Sequence, residues 1–179
     1  PFTVSSFIAF AEANLGFNGG GCPSTPSPFE YNANGSGIEP VLGSNCANGN
    51  YSTIGGGTLN ISQGTYSTIG GGSNNSSSGD YSTIGGGFGN TASGIYSFVG
   101  GGLCNTASCG SSTIGGGYLN TASCNSSTVS GGQTNTASNN FSTVGGGLCN
   151  PASGYSSTVG GGFCNTASGC NSTIGGGCC

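Results

Sequence analysis

The chain contains no lysine, arginine, histidine, methionine or tryptophan. Without a basic side chain it cannot neutralise phosphates, which excludes nucleic acid as a partner. It offers no basic patch to an anionic lipid surface either. Its only acids are Glu12, Glu30, Glu39 and Asp80, so general acid–base catalysis lacks a set of positioned titratable groups. The many serines have no base to activate them. The glycine runs lack the Lys-Ser/Thr ending of a phosphate loop, and no recurrent aspartate marks a calcium-binding turn. The chain therefore reads as non-enzymatic, with no cofactor and no metal. No apolar run approaches the ~20 residues that span a bilayer, so no membrane insertion is expected. The absence of Lys and Arg also removes every trypsin-like cleavage site, which suits an extracellular, cell-surface location. The chain begins at Pro1, and either a removed secretory leader or a missing start is expected.

Glycine accounts for 41 of 179 residues. High glycine with little charge often means disorder, but here the apolar residues recur at one phase, which argues for order. Nine copies of a repeat begin at Tyr51, Tyr66, Tyr81, Tyr96, Ser111, Ser126, Phe141, Ser156 and Asn171, 15 residues apart every time. The consensus is Tyr/Ser-Ser-Thr-Ile/Val-Gly-Gly-Gly-x-x-Asn-Thr-Ala-Ser-Gly-x. A degenerate copy precedes them. Asn45, Cys46, Ala47, Asn48 and Gly49 match Asn90 to Gly94, and Ile38 matches Ile54, with one extra residue between. Glu39 and Pro40 replace glycines there, as expected of a coil that blunts an open edge.

This pattern predicts an all-β fold: a single-chain parallel β-solenoid (β-roll or β-helix) of 15-residue coils, with an N-terminal extended strand arm. Residues 1–34 form the strand and Pro/Gly-rich arm. Residues 35–179 form the solenoid, with 35–50 as capping coil and 51–179 as nine regular coils. At a strand spacing of ~4.8 Å the nine coils make a rod of roughly 43 Å. Strand side chains alternate, so the fourth position (Ile54 to Ile174) points inward, with the Ser at the second. The Ala at the twelfth, the Asn at the tenth and the variable eighth position (Phe88, Leu103, Tyr118, Leu148, Phe163) are expected inward too. The asparagines Asn60, Asn75, Asn90, Asn105, Asn120, Asn135, Asn150 and Asn165 are expected to stack as a ladder that satisfies buried turn groups. Tyr51 and Thr53 point out, as do the Thr and Ser flanking the Ala.

Outside the repeat, Phe2, Val4, Ile8 and Phe10 mark a β-branched and aromatic strand. It folds back as a lid on the first coil, or docks on a neighbouring subunit by strand addition. The last coil, Asn171 to Cys179, is full consensus with no polar cap, an edge suited to head-to-tail stacking of copies.

Ten cysteines without histidine point to disulfides in an oxidising compartment. Cys109 and Cys124 share the fourteenth position of adjacent coils and are expected to bond. Cys149, Cys164 and Cys179 share the ninth in three coils, so either Cys149–Cys164 or Cys164–Cys179 is expected. Cys22–Cys46 would staple the arm to the cap. Sequons at Asn34, Asn50, Asn125, Asn140 and Asn171 are candidate N-glycosylation sites, and covalent glycans are a candidate partner.

The strings Tyr81 to Gly87 and Asn90 to Gly94 resemble the head repeats of trimeric autotransporter adhesins and related repeats of phage tail fibres and algal or protist surface proteins. That resemblance implies a left-handed parallel β-roll that trimerises. The columns Thr91/Ser93, Thr106/Ser108, Thr121/Ser123, Thr136/Ser138 and Thr166/Ser168 resemble the ice-binding faces of insect and grass β-solenoid antifreeze proteins. The columns break at Pro151 and are lost at Ile61 and Ser76. The function read from the sequence is a structural subunit of an extracellular filament or surface appendage, a homopolymer joined through its ends or its arm. The alternatives are an ice-binding solenoid that uses the Thr/Ser columns, and an adhesin or viral tail-fibre segment.

Overall fold

A repeat of constant length with no insertion lets each coil stack on the last in one register, and the computed structural model has that form. It describes Glu30, Tyr31, Ile38, Glu39 and residues 44–178. Each coil contributes three short extended segments, and these stack into three walls. In the isoleucine wall, Thr53–Ile54 pairs in parallel with Thr68–Ile69, and the same pairing continues coil by coil to Thr173–Ile174. In the alanine wall, Cys46–Ala47 pairs with Ile61–Ser62 and the series continues to Pro151–Ala152. The third, the glycine wall, is a line of single parallel bridges at the eighth position, from Thr58↔Ser73 to Phe163↔Cys178. Together these make a parallel β-solenoid. The isoleucine wall is extended at its start by Ile38–Glu39, and Glu30–Tyr31 pairs antiparallel with that strand.

Along each wall the N–H of one coil donates to the carbonyl of the next, as Thr68 N–H does to Ser82 (2.9 Å). The interior is narrow. Ile54, Ile69, Ile84, Val99, Ile114, Val129, Val144 and Val159 are fully buried, as are the alanines from Ala47 to Ala152. One buried Ile or Val stabilises a coil by only about 2 kcal/mol, so the stack holds because neighbouring coils share a continuous core.

Two corners carry positive φ at residues other than glycine. The first position (Tyr51, φ 59°; Tyr96, φ 60°) and the ninth (Leu59, φ 57°; Leu119, φ 54°) sit in the left-handed region. Bulky residues are disfavoured there by about 1–2 kcal/mol each. The compensation is visible in the hydrogen bonds. At these corners the N–H turns backward, so Tyr66 donates to Asn50 (2.8 Å) and Leu119 to Leu103 (3.0 Å), opposite in sense to the walls. Between the corners, Gly87 and Gly102 (φ 93° and 95°) are required twice over. A Cβ at Gly102 would lie 2.2 Å from the carbonyl oxygen of Gly117.

The structure corrects two sequence expectations about facing. The eighth position points out: Phe88 is 50% exposed, and Leu103, Tyr118 and Phe163 are exposed as well. Strict alternation from the buried Asn fails because the ninth residue between them is left-handed, which resets the parity. Ile38 pairs with Thr53 rather than Ile54 and is exposed, so it lies one register step from the core column.

Candidate functional site

Two inner polar columns position everything outside them. The Asn column starts at Asn45 and is buried through Asn150. Asn105 illustrates its bonding: Nδ2 donates to Gly101 O (3.0 Å) in its own coil and to Gly117 O (2.9 Å) in the next. Its Oδ1 accepts from the backbone N–H of Asn120 (2.9 Å). The side chain thus locks the glycine turn to the coil above.

The Ser column at the second position is bonded in three ways. Where the twelfth residue of the preceding coil is Ser, hydroxyls pair, as Ser62 with Ser67 (2.7 Å) and Ser77 with Ser82 (2.6 Å). Where the fourteenth is Cys or Asn, the serine donates to that residue's carbonyl: Ser112 to Cys109, Ser127 to Cys124, Ser142 to Asn139 (2.7, 2.6 and 2.6 Å). Where the two are Ala and Gly, the hydroxyls of Ser52, Ser97, Ser157 and Ser172 are buried without a partner among the described residues.

The outward columns of the alanine wall rest on this frame. Thr91, Thr106, Thr121 and Thr136 stand opposite one another in register. Their N–H groups donate to the asparagine carbonyls of the next coil at 2.8–3.0 Å. The second column, Ser93, Ser108, Ser123 and Ser138, is also laddered, each N–H donating to the next coil's Ala carbonyl at 2.9–3.0 Å. Both columns therefore sit on fixed backbone, and no charged side chain interrupts them between Thr91 and Ser138. The break at Pro151 and the substitutions at Ile61 and Ser76 bound the regular stretch. A further outward Thr column runs down the isoleucine wall, interrupted by Phe98. Beside it rise the exposed rings of Tyr51, Tyr66, Tyr81 and Tyr96, stacked at 4.8–5.1 Å, so this wall is the less flat of the two.

The cysteine ladder expected from the sequence is overturned. Cys104, Cys109, Cys124, Cys149, Cys164, Cys170 and Cys178 all stand outside any disulfide. The expected disulfides Cys109–Cys124 and Cys149–Cys164 are therefore absent, and the alternative Cys164–Cys179 involves Cys179, which lies outside the described residues. Translation by one coil keeps Cα–Cβ vectors parallel. Stacked Cβ atoms then stay ~4.8 Å apart, beyond the ~3.8 Å mean of disulfides. The thiols point along the rod instead. Cys109 Sγ donates to Ser123 O (2.8 Å) and Cys124 Sγ to Ser138 O (3.1 Å), as the amide of Asn139 does to Ser153 O (2.9 Å). Cys46 is the exception: it is disulfide-bonded, and its partner lies outside the described residues.

Of the candidate glycosylation sites, Asn50, Asn125 and Asn171 are exposed at a corner and Asn140 is half-buried. Asn125 Oδ1 accepts from Gly110 N–H (3.1 Å) and Asn140 Oδ1 from Asn125 N–H (3.2 Å). Asn34, Cys22, Cys179 and the arm residues Phe2, Val4, Ile8 and Phe10 lie outside the described residues. Among the described residues no three His, Cys, Asp or Glu side chains gather as a metal-ligand set, and no helix is long and apolar enough to cross a membrane.

No protein-family model matches the chain, and no curated protein matches its sequence. The parallel solenoid agrees with the fold implied by the adhesin and fibre repeats without singling out either family.

Proposed function

We propose that the solenoid is a scaffold for an ice-binding surface, the alanine wall from Thr91 to Ser138. One observation carries this reading: two columns of uncharged hydroxyl side chains, in register over four consecutive coils on laddered backbone. The spacings suit the ligand. Stacked strands repeat at ~4.8 Å and alternate residues along a strand at roughly 6.7 Å, both near oxygen repeats of the ice lattice. A threonine offers a hydroxyl and a methyl on a side chain that is stiff at χ1. Water held between two such columns is ordered before contact with ice, and little side-chain entropy remains to be lost. Thermal hysteresis tests the reading. The wild-type chain is expected to depress freezing below melting. Thr121→Tyr, raised between Thr106 and Thr136, is expected to remove most of the gap without changing the melting temperature of the fold. No hysteresis in the wild type sinks the proposal.

The second reading is a structural subunit of an extracellular filament. It is favoured by the sameness of every coil–coil interface from Thr53 to Ile174, since a coil from another copy would meet the same donors and acceptors. Rods longer than one chain in negative-stain images are its expected signature.

A further inference from the structure

We propose that Cys109 and Cys124 form a binding site for a soft, two-coordinate monovalent cation, the cuprous ion. Where glycine holds the fourteenth position under a stacked coil, there is no room for a side chain. A Cβ at Gly79 would collide with the carbonyl of Gly94, and one at Gly154 with that of Gly169. These glycines donate their N–H groups to the next coil, Gly79 to Ala92 O (3.3 Å) and Gly154 to Ala167 O (3.2 Å). At Cys124 the N–H turns to Ser127 Oγ instead (3.3 Å), and the corner admits a side chain. Two consecutive coils carry a thiol at such a corner, bounded by Gly94 before and Asn139 after. The amide of Asn139 is committed to Ser153 O (2.9 Å) and to the N–H of Asn140 (2.9 Å). This column therefore offers two sulfur ligands and no third.

Both side chains are half-buried, so solvent and a small ion reach them. They share one orientation, each thiol donating to a serine carbonyl of the coil beyond, Cys109 to Ser123 and Cys124 to Ser138. Two side chains in one orientation, one coil apart, hold their sulfurs apart by the coil repeat whichever way both turn. That repeat is 4.8–5.1 Å in the tyrosine stack. It defeats a disulfide, whose S–S bond is ~2.05 Å. It suits a bridging ion, because a metal–thiolate bond is ~2.3 Å and two in line span about 4.6 Å. Thiolates are soft and select Cu(I), a d10 ion that accepts two ligands in line. Zinc asks for four ligands, which this corner lacks. On binding, both S–H bonds break, two protons pass to water and two copper–sulfur bonds form, with no change of oxidation state. The side chains swing together from the carbonyls to the ion. The inference stands or falls independently of ice binding.

Transfer of Cu(I) from its bicinchoninate complex to the chain, under nitrogen, provides the test. The full chain carries Cys164→Ser, which leaves Cys109 and Cys124 as the only cysteines that share a phase in adjacent coils. One tightly held ion is expected, with two sulfur neighbours and no third ligand in its X-ray absorption spectrum. Cys109→Ser is expected to weaken its retention at least tenfold, Cys124→Ser equally, and the double substitution no further, because either loss breaks the bridge. All three are expected to keep the parent's circular dichroism and melting temperature, since Asn139 already shows that this corner accepts a polar side chain. The inference is overturned by a chain that withholds no ion from bicinchoninate, by retention that survives either substitution, by losses that add as those of two independent thiols would, or by a third ligand on the copper.

Discussion

The two buried polar columns look alike in sequence and differ in what they do. The tenth position is Asn in every coil from Asn60 to Asn165, and the second is Ser in every coil from Ser52 to Ser172. Each asparagine from Asn60 to Asn150 reaches carbonyls in two coils and accepts the backbone N–H of the next asparagine, as Asn105 does and Asn150 does. The serine column is satisfied by whichever neighbour the preceding coil supplies, and four of its hydroxyls have none among the described residues. Repetition within a chain is therefore not a measure of energetic weight. The Asn holds backbone groups that would otherwise be buried unpaired, and the Ser fills a small inward space that alanine would fill as well.

The largest effect expected from this contrast is at the asparagine. Asn105→Ala leaves the N–H of Asn120 and the carbonyl of Gly101 without their partner and takes one of two donors from the carbonyl of Gly117, which keeps the N–H of Leu103 (2.9 Å). With about 1–3 kcal/mol for each buried unsatisfied group, we predict a loss on the order of 4 kcal/mol. Chemical denaturation reads it, and hydrogen exchange should show the opening centred on coils 96–125. A loss under about 1 kcal/mol would break the comparison. Ser112→Ala removes one hydrogen bond to Cys109 O and should cost about 1 kcal/mol. Ala92→Ser sharpens the comparison from the other side. It gives Ser97 the partner that Ser77 gives Ser82 (2.6 Å), and a gain of about 0.5 kcal/mol is predicted from the pairing of a buried hydroxyl. The smallest effect belongs to Ser157→Ala, which deletes a buried hydroxyl that has no partner among the described residues. Its stability should change by about zero, or rise slightly.

Much of the fold was legible in the sequence because a constant 15-residue period permits only in-register stacking, and because alternation over two or three residues places Ile54 and its equivalents inward. Legibility ended where the backbone leaves the alternation. Nothing in Tyr66 or Leu119 signals a left-handed corner, since that conformation is imposed by the backward hydrogen bonds to the coil below. The outward turn of Phe88 and Leu103 follows from the corner beside them and was hidden with it. The thiols misled for a related reason. Shared phase brings Cys109 near Cys124, but it also makes their Cα–Cβ vectors parallel, and nearness without convergence does not make a disulfide. The outward Thr and Ser columns of the candidate site were readable as a pattern. Their anchoring through the buried asparagines, which steadies the wall, appears only when donors are traced to acceptors.

The alanine wall is the surface proposed to engage ice. The direct measurement is ice-plane affinity: a single ice crystal grown in the presence of chain labelled at the exposed thiol of Cys170. Fluorescence confined to a defined crystal plane, and lost with Thr121→Tyr, is the predicted result. Uniform exclusion of the wild-type chain from the ice would contradict the account.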